Sequence, residues 1–141
     1  MTCLLDTSAC IAYLNGRALG VRRRLEATDP QEIVLCSVVR AELIYGAMRS
    51  VNPAKTLAKQ APFLNQFASL PFDDRAAEVY GRIRAQLAAQ GTLIGPNDLL
   101  IAAIAIANDA VLVTRTRASL AVLTDCVSRI GRCNKIAMRN M

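Results

Sequence analysis

Apolar and polar positions follow two rhythms along the chain. Three short apolar runs, Met1–Leu5, Ile33–Cys36 and Val111–Thr114, have the length and aliphatic character of buried strands, and a polar or turn-forming residue follows the first two. The segments between them carry apolar residues at helical spacing. Ala9, Ile11, Ala12 and Leu14 follow Thr7-Ser8 and stop at Asn15-Gly16, and a second helix over 19–27 is broken by Thr28-Asp29-Pro30. A third runs through Val38, Val39, Ala41, Leu43, Ile44 and Ala47, with Ser37 as its expected cap. Pro53 is placed to start a helix over 54–67, and Asp73 or Asp74 opens another that runs to Gln90 and stops at Gly91. Leu70-Pro71-Phe72 predicts a minor edge strand, because proline cannot donate to a sheet ladder.

One stretch breaks the amphipathic pattern. Leu99–Ala107 is apolar on every face, and its nine residues fall well short of the roughly 20 that a membrane span needs. With the strand at 111–114 following at once, it predicts the buried central helix of an α/β domain. Gly95-Pro96-Asn97 are turn signals that deliver Asp98, the one charge at the mouth of this dry element, and Asn97 or Asp98 reads equally well as a plain helix cap. The alternation of strand and helix, without repeat or linker, predicts a three-layer α/β/α domain around a central parallel sheet. A chain of 141 residues is enough for one such unit with a real core.

Composition narrows the chemistry. There is no histidine, and the five cysteines (Cys3, Cys10, Cys36, Cys126, Cys133) form no Cys-x-x-Cys pair, which excludes histidine catalysis and zinc-type sites and leaves oxygen as the donor for any metal. Cys3 and Cys36 lie inside apolar runs, where a thiol behaves as a small hydrophobe. No leader pattern precedes Asp6, so a soluble, cytoplasmic protein with no membrane anchor is expected. The net charge of +6 is uneven: residues 1–116 hold 12 Lys and Arg against 10 Asp and Glu, whereas residues 117–141 hold 5 against 1. The body's one basic cluster, Arg22-Arg23-Arg24, reads either as a solvated helix face or as a phosphate contact.

Three acids stand out by position. Asp6 ends the first strand, Glu42 sits among apolar neighbours in the helix after the second, and Asp98 begins the helix before the last. Each has a structural reading: Asp6 as cap of the first helix, Glu42 in a salt bridge with Arg40 or Arg49, Asp98 as cap. In a parallel sheet, however, positions just past the strand C-termini converge on one edge, where ligands bind. Carboxylates gathered there raise one another's pKa unless a cation lies among them, and an oxygen-only donor set selects Mg²⁺ or Mn²⁺. A hard divalent ion can activate water against a phosphodiester without any side-chain nucleophile. A phosphatase built on a strand-end aspartate fits less well, since that chemistry wants a second Asp where Ser8 stands.

The strings Leu-Leu-Asp-Thr-Ser (4–8), Ser-Val-Val-Arg-Ala-Glu-Leu-Ile-Tyr-Gly-Ala (37–47), Ile-Gly-Pro-Asn-Asp-Leu-Leu-Ile-Ala-Ala (94–103) and Leu-Val-Thr-Arg (112–115) together resemble the PIN domain, most closely the VapC toxins of bacterial toxin–antitoxin pairs. The resemblance implies a Mg²⁺-dependent endoribonuclease cleaving structured RNA such as tRNA. It assigns Asp6 and Asp98 as metal ligands, has Glu42 complete the acidic site, and gives Thr114 an orienting role through its hydroxyl. It also implies a cognate antitoxin that enters the active-site groove, and a homodimer.

The resemblance covers residues 1–116 as the nuclease domain, and 117–141 form an atypical basic tail. Where the family carries Asn or Asp this chain has Thr116, and where it carries an acid followed by Phe this chain has Ser119-Leu120, so a catalytically impaired, antitoxin-binding protein is the alternative reading. The tail reads as a frameshift. A codon set that encodes Arg115–Val127 gives, with one A restored after the first codon, Arg-Asn-Thr-Arg-Glu-Phe-Gly-Arg-Val-Asp-Gly-Leu-Arg, which is the family's ending. In the same frame Val127–Gly131 continue as Ile-Glu-Asp-Trp, and Cys133-Asn134 permit a stop. On this reading the chain lacks its fourth acid and its last strand, and a poorly packed segment is expected after Arg117.

Overall fold

The computed structural model describes residues 2–16, 18–92 and 94–115. The expectations for the tail beyond Arg115 lie outside these residues. In chain order the elements are β1 (Cys3–Leu5), α1 (Thr7–Asn15), α2 (Leu19–Glu26), β2 (Ile33–Cys36), α3 (Ser37–Met48), α4 (Pro53–Gln66), β3 (Ala68–Leu70), α5 (Asp74–Ala89), α6 (Pro96–Ala107) and β4 (Val111–Val113). A single 3₁₀ turn, Pro30–Glu32, leads into β2.

All four strands are parallel, in the order β3-β2-β1-β4. Parallel pairing demands crossovers, and right-handed ones fix which face each helix covers. The chain steps from β1 to β2 to β3 in one direction, which puts α1 to α4 on one face. It then returns across the sheet to β4, which puts α5 and α6 on the other, giving three layers. The strands are buried because both faces are covered: Leu4, Leu5, Leu35 and Cys36 are fully inaccessible, and each buried leucine is worth roughly 1.5–3 kcal/mol of transfer free energy. In α6, Leu99 and Ile101 to Ala105 are all buried, which accounts for its lack of a polar face. Among the described residues no helix is long and apolar enough to cross a membrane.

Several boundaries shift for local reasons. Helix α6 begins at Pro96, a turn earlier than the apolar run, because proline is preorganised for the first helical position. Its N-cap is Gly95, with no side-chain cap bond, so neither Asn97 nor Asp98 caps it. Cys36, not Ser37, occupies the N-cap position of α3, and the Ser37 hydroxyl instead donates weakly to the Leu70 carbonyl at 3.5 Å. The edge strand β3 ends at Leu70, before Pro71. Asp73 caps α5 by accepting from the Ala76 N–H, and Gly16 and Gly91 take up the left-handed conformation at the ends of α1 and α5 (φ 63° and 67°) as those helices require.

Candidate functional site

Strands β1 and β4 are neighbours whose carboxyl ends lie side by side. Pairing of Leu5 with Val113, and of the Asp6 N–H with the Val113 carbonyl at 3.0 Å, sets Asp6 beside Thr114 at the same sheet edge. Both are buried, at 8% and 6% exposure, although each is polar. Burial of such groups is tolerated only where hydrogen bonds replace water.

Asp6 has them. Its Oδ1 accepts from the Ala9 N–H at 2.9 Å, which makes it the N-cap of α1, and from the Ser8 hydroxyl at 2.8 Å, while the Thr114 hydroxyl bonds the same carboxylate. The capping and the site readings of Asp6 are therefore one arrangement. Ser8 ties the edge together, since its Oγ also accepts from the Arg115 N–H at 3.1 Å and lies 3.4 Å from the Thr114 hydroxyl.

Glu42 is half-buried on α3. The salt bridge considered for it is absent among the described residues: Arg40 donates to the Leu64 carbonyl at 2.9 Å, and Arg49 lies over the Tyr45 ring at 5.5 Å. Its partner is Thr7, whose hydroxyl donates to Oε1 at 2.7 Å. Glu42 also forms part of the wall of an open groove of about 450 Å³ between α3 and α6, with Val38, Ala41, Tyr45, Asn97 and Leu100. Asp98, in the first turn of α6, is open to solvent and turns back over Gly95, where a β-carbon would stand 3.4 Å from its Oδ2.

The three acids feel one another. Burial pushes the Asp6 carboxyl above the usual aspartate value of 3.8; hydrogen bonds from Thr114, Ala9 and Ser8 oppose this, and the Glu42 charge adds to it. Asp98 is raised by partial burial first, then by the charges of Asp6 and Glu42. Asp6 thus registers the charge of Glu42, and Asp98 registers the charges of both. Among the described residues, though, no three acidic, Cys or His side chains stand as a ready-made metal cluster. Mg²⁺ does not need one, because it binds through one or two carboxylates and keeps several waters. An all-oxygen set of repelling carboxylates, one of them pinned in place, fits a hydrated divalent cation.

Among the described residues, the two buried thiols offer no alternative chemistry. Cys10 and Cys36 are free, buried and raised in pKa by that burial, which disfavours the reactive thiolate. Arg22 is engaged by Glu26 at 3.0 Å and lies over Tyr13 at 5.7 Å, so this part of the Arg22-Arg23-Arg24 cluster behaves as a solvated helix face.

Thr7 and Ser8 were not singled out in advance. The one signal for them was the Asp-Thr-Ser run itself, two hydroxyls directly after a strand-end acid.

The raised carboxylates carry a pH signature. A folded-state pKa above the unfolded value contributes stability that is fully present below the unfolded pKa and is lost as pH rises through the folded one. In chelator, the part of the stability that Asp6 governs should therefore fall as pH rises from 4 toward neutrality. Asp6→Asn keeps the helix cap and removes the titration, so the melting temperature of that variant should gain on the wild type as pH rises. Parallel melting-temperature profiles for the two proteins would refute this.

Comparison with known proteins bears on the whole chain. Residues 3–118 match the PIN domain. The tRNA(fMet)-specific endonuclease VapC of Salmonella typhimurium is 36% identical over 111 residues, which cover 79% of this chain and 83% of that one. Ribonuclease VapC2 of Rickettsia felis is 36% identical over 115 residues, covering 81% and 86%. Among solved structures, the VapBC2 complex of Rickettsia felis bound to a DNA fragment from its promoter contains a chain that superposes with a TM-score of 0.79 at 29% identity, covering 100% of this chain and 99% of that one.

Proposed function

Since the chain belongs to the PIN domain family, with VapC ribonucleases among its relatives, we propose that it is a metal-dependent endoribonuclease, the toxin of a toxin–antitoxin pair that acts in the cytoplasm on structured RNA such as tRNA. The observation that carries this reading is the coupled set of Asp6, Glu42 and Asp98 at the carboxyl edge of the sheet, with no histidine in the chain. Asp6 and Asp98 would hold Mg²⁺ or Mn²⁺, and Glu42 completes the acidic site. Such an ion, when bound, supplies Lewis acidity to a phosphoryl oxygen and lowers the pKa of a water.

The chain's own residues do the positioning. Ser8, the Ala9 N–H and Thr114 hold the Asp6 carboxylate in one orientation, so it is preorganised and need not be recruited from solvent. Thr114 acts through its hydroxyl, which makes it an orienting group. Asp98 completes the set from the opposite helical layer, its carboxylate turned back over Gly95. The groove between α3 and α6, with Glu42 in its wall, would give RNA an approach to this side of the acidic site. A protein antitoxin and a second copy of the chain are the partners that accompany this reading.

Incubating the purified chain with total tRNA, with Mg²⁺ or with chelator, tests it directly. Cleavage should require the metal and should vanish in Asp6→Asn. Metal-independent cleavage, or cleavage untouched by that substitution, would reject the site.

A second reading is favoured by where the family match stops. The PIN match stops at residue 118, and about one sixth of the Salmonella relative lies outside its alignment. The same proposal therefore extends to the tail: residues after Arg115 are read in a shifted frame, the fourth acid is missing, and the nuclease is impaired while antitoxin binding survives.

A further inference from the structure

Two adjacent residues at the start of α1 each hold a different carboxylate. The Ser8 hydroxyl turns back to Asp6, its own helix cap, at 2.8 Å, and the Thr7 hydroxyl reaches across to Oε1 of Glu42, 35 residues away on α3, at 2.7 Å. Successive helix positions point about 100° apart, so a single turn can grip two acids that belong to different crossovers of the sheet. That turn is itself fixed, because Asp6 caps it through the Ala9 N–H and the Ser8 hydroxyl accepts from the Arg115 N–H beyond β4.

Glu42 needs such a grip more than its neighbours do. Asp6 is buried and bonded several times, whereas Glu42 is half-buried on a long side chain, and among the described residues neither Lys nor Arg pairs with it. The charges of Asp6 and Asp98 both lie close enough to repel it, and an open groove lies at its side. Without a donor, repulsion and side-chain entropy both favour turning the carboxylate out into that groove. An O–H donor stabilises it where it is.

We infer that Thr7 is a positioning residue for the acidic site: its hydroxyl restrains the Glu42 carboxylate at the start of α1, so that less side-chain freedom remains to be lost when a cation binds. This rests on the metal-site reading proposed above. On this inference Thr7 works entirely through Glu42.

Titration of the full chain with Mn²⁺, followed by electron paramagnetic resonance, tests this without reference to cleavage. Thr7→Val removes the hydroxyl and keeps the shape, and it should weaken Mn²⁺ binding by about 10- to 100-fold, the usual loss when an outer-shell partner of a ligand is removed. Thr7→Ser keeps the donor and should stay within about threefold of wild type. Combining Thr7→Val with Glu42→Gln should add nothing to the loss from Glu42→Gln alone, because a residue that acts through another has no effect once that other is gone. Thr7→Ala serves the same comparison if the valine variant does not fold, and melting in chelator identifies that case.

The inference fails if Thr7→Val and Thr7→Ala bind Mn²⁺ as wild type does, or if the loss persists in full on the Glu42→Gln background. Its failure is distinct from that of the metal reading. If Asp6→Asn and Glu42→Gln leave Mn²⁺ affinity unchanged, the site itself is wrong and Thr7 falls with it; if they weaken it and Thr7→Val does not, only the role of Thr7 is lost.

Discussion

Asparagine in place of Asp98 is expected to cut Mg²⁺-dependent RNA cleavage by on the order of 10²–10³-fold, the loss that follows removal of one preorganised electrostatic group from an active site. The fold should survive. Asp98 caps nothing, since Gly95 is the N-cap of α6 and makes no side-chain cap bond, and it is an exposed residue whose carboxyl is only partly buried. Its neighbours Asp6 and Glu42 also repel it, so a neutral amide relieves charge crowding that the metal-free chain otherwise carries. The melting temperature in chelator should therefore be equal to wild type or slightly higher, while the stabilisation that Mg²⁺ confers disappears. Thermal melts with and without Mg²⁺, beside a tRNA cleavage assay, separate the outcomes. Loss of the fold would mean that Asp98 is structural; full cleavage would remove it from the site.

Restoring one base after codon 115 is expected to change cleavage in the opposite direction. The resulting chain would carry Asn in place of Thr116 and the Glu-Phe pair in place of Ser119-Leu120, returning an acid to the set that, on the reading proposed above, would hold the ion. Cleavage of tRNA should rise by at least about tenfold, the lower end of what a supporting group contributes at a metal site. Its stop falls at codon 134, giving about 133 residues, against about 134 for a relative of which 111 residues are 83%. Sequencing the gene comes first. If its codons over 116–123 do not regenerate the family ending when one base is restored, the frameshift is wrong; if they do and the restored chain is no more active, the tail has no bearing on catalysis.

Much of this protein follows from local sequence, because helix and strand formation depend on periodicity and on residues a few positions apart. The three short apolar runs become β1, β2 and β4; Gly16 and Gly91 end helices; Asp73 and Pro53 begin them. Asp6, Glu42 and Asp98 were identifiable as candidates, since acids at strand ends or beside apolar helices are costly and call for a reason, whereas Thr114 came only from the family resemblance. The tertiary structure alone decided what surrounds them. The strand order β3-β2-β1-β4 makes β1 and β4 neighbours, and only that sets Thr114 and Arg115 against Asp6 and Ser8 across more than a hundred residues. Glu42 had two arginines within reach in sequence, yet packing of α1 against α3 gave it the Thr7 hydroxyl, while Arg40 and Arg49 went to a carbonyl and an aromatic ring. A side chain's partner depends on which elements the crossovers bring together, and periodicity, which reports only the face a residue shares with its own helix or strand, carries no record of that choice.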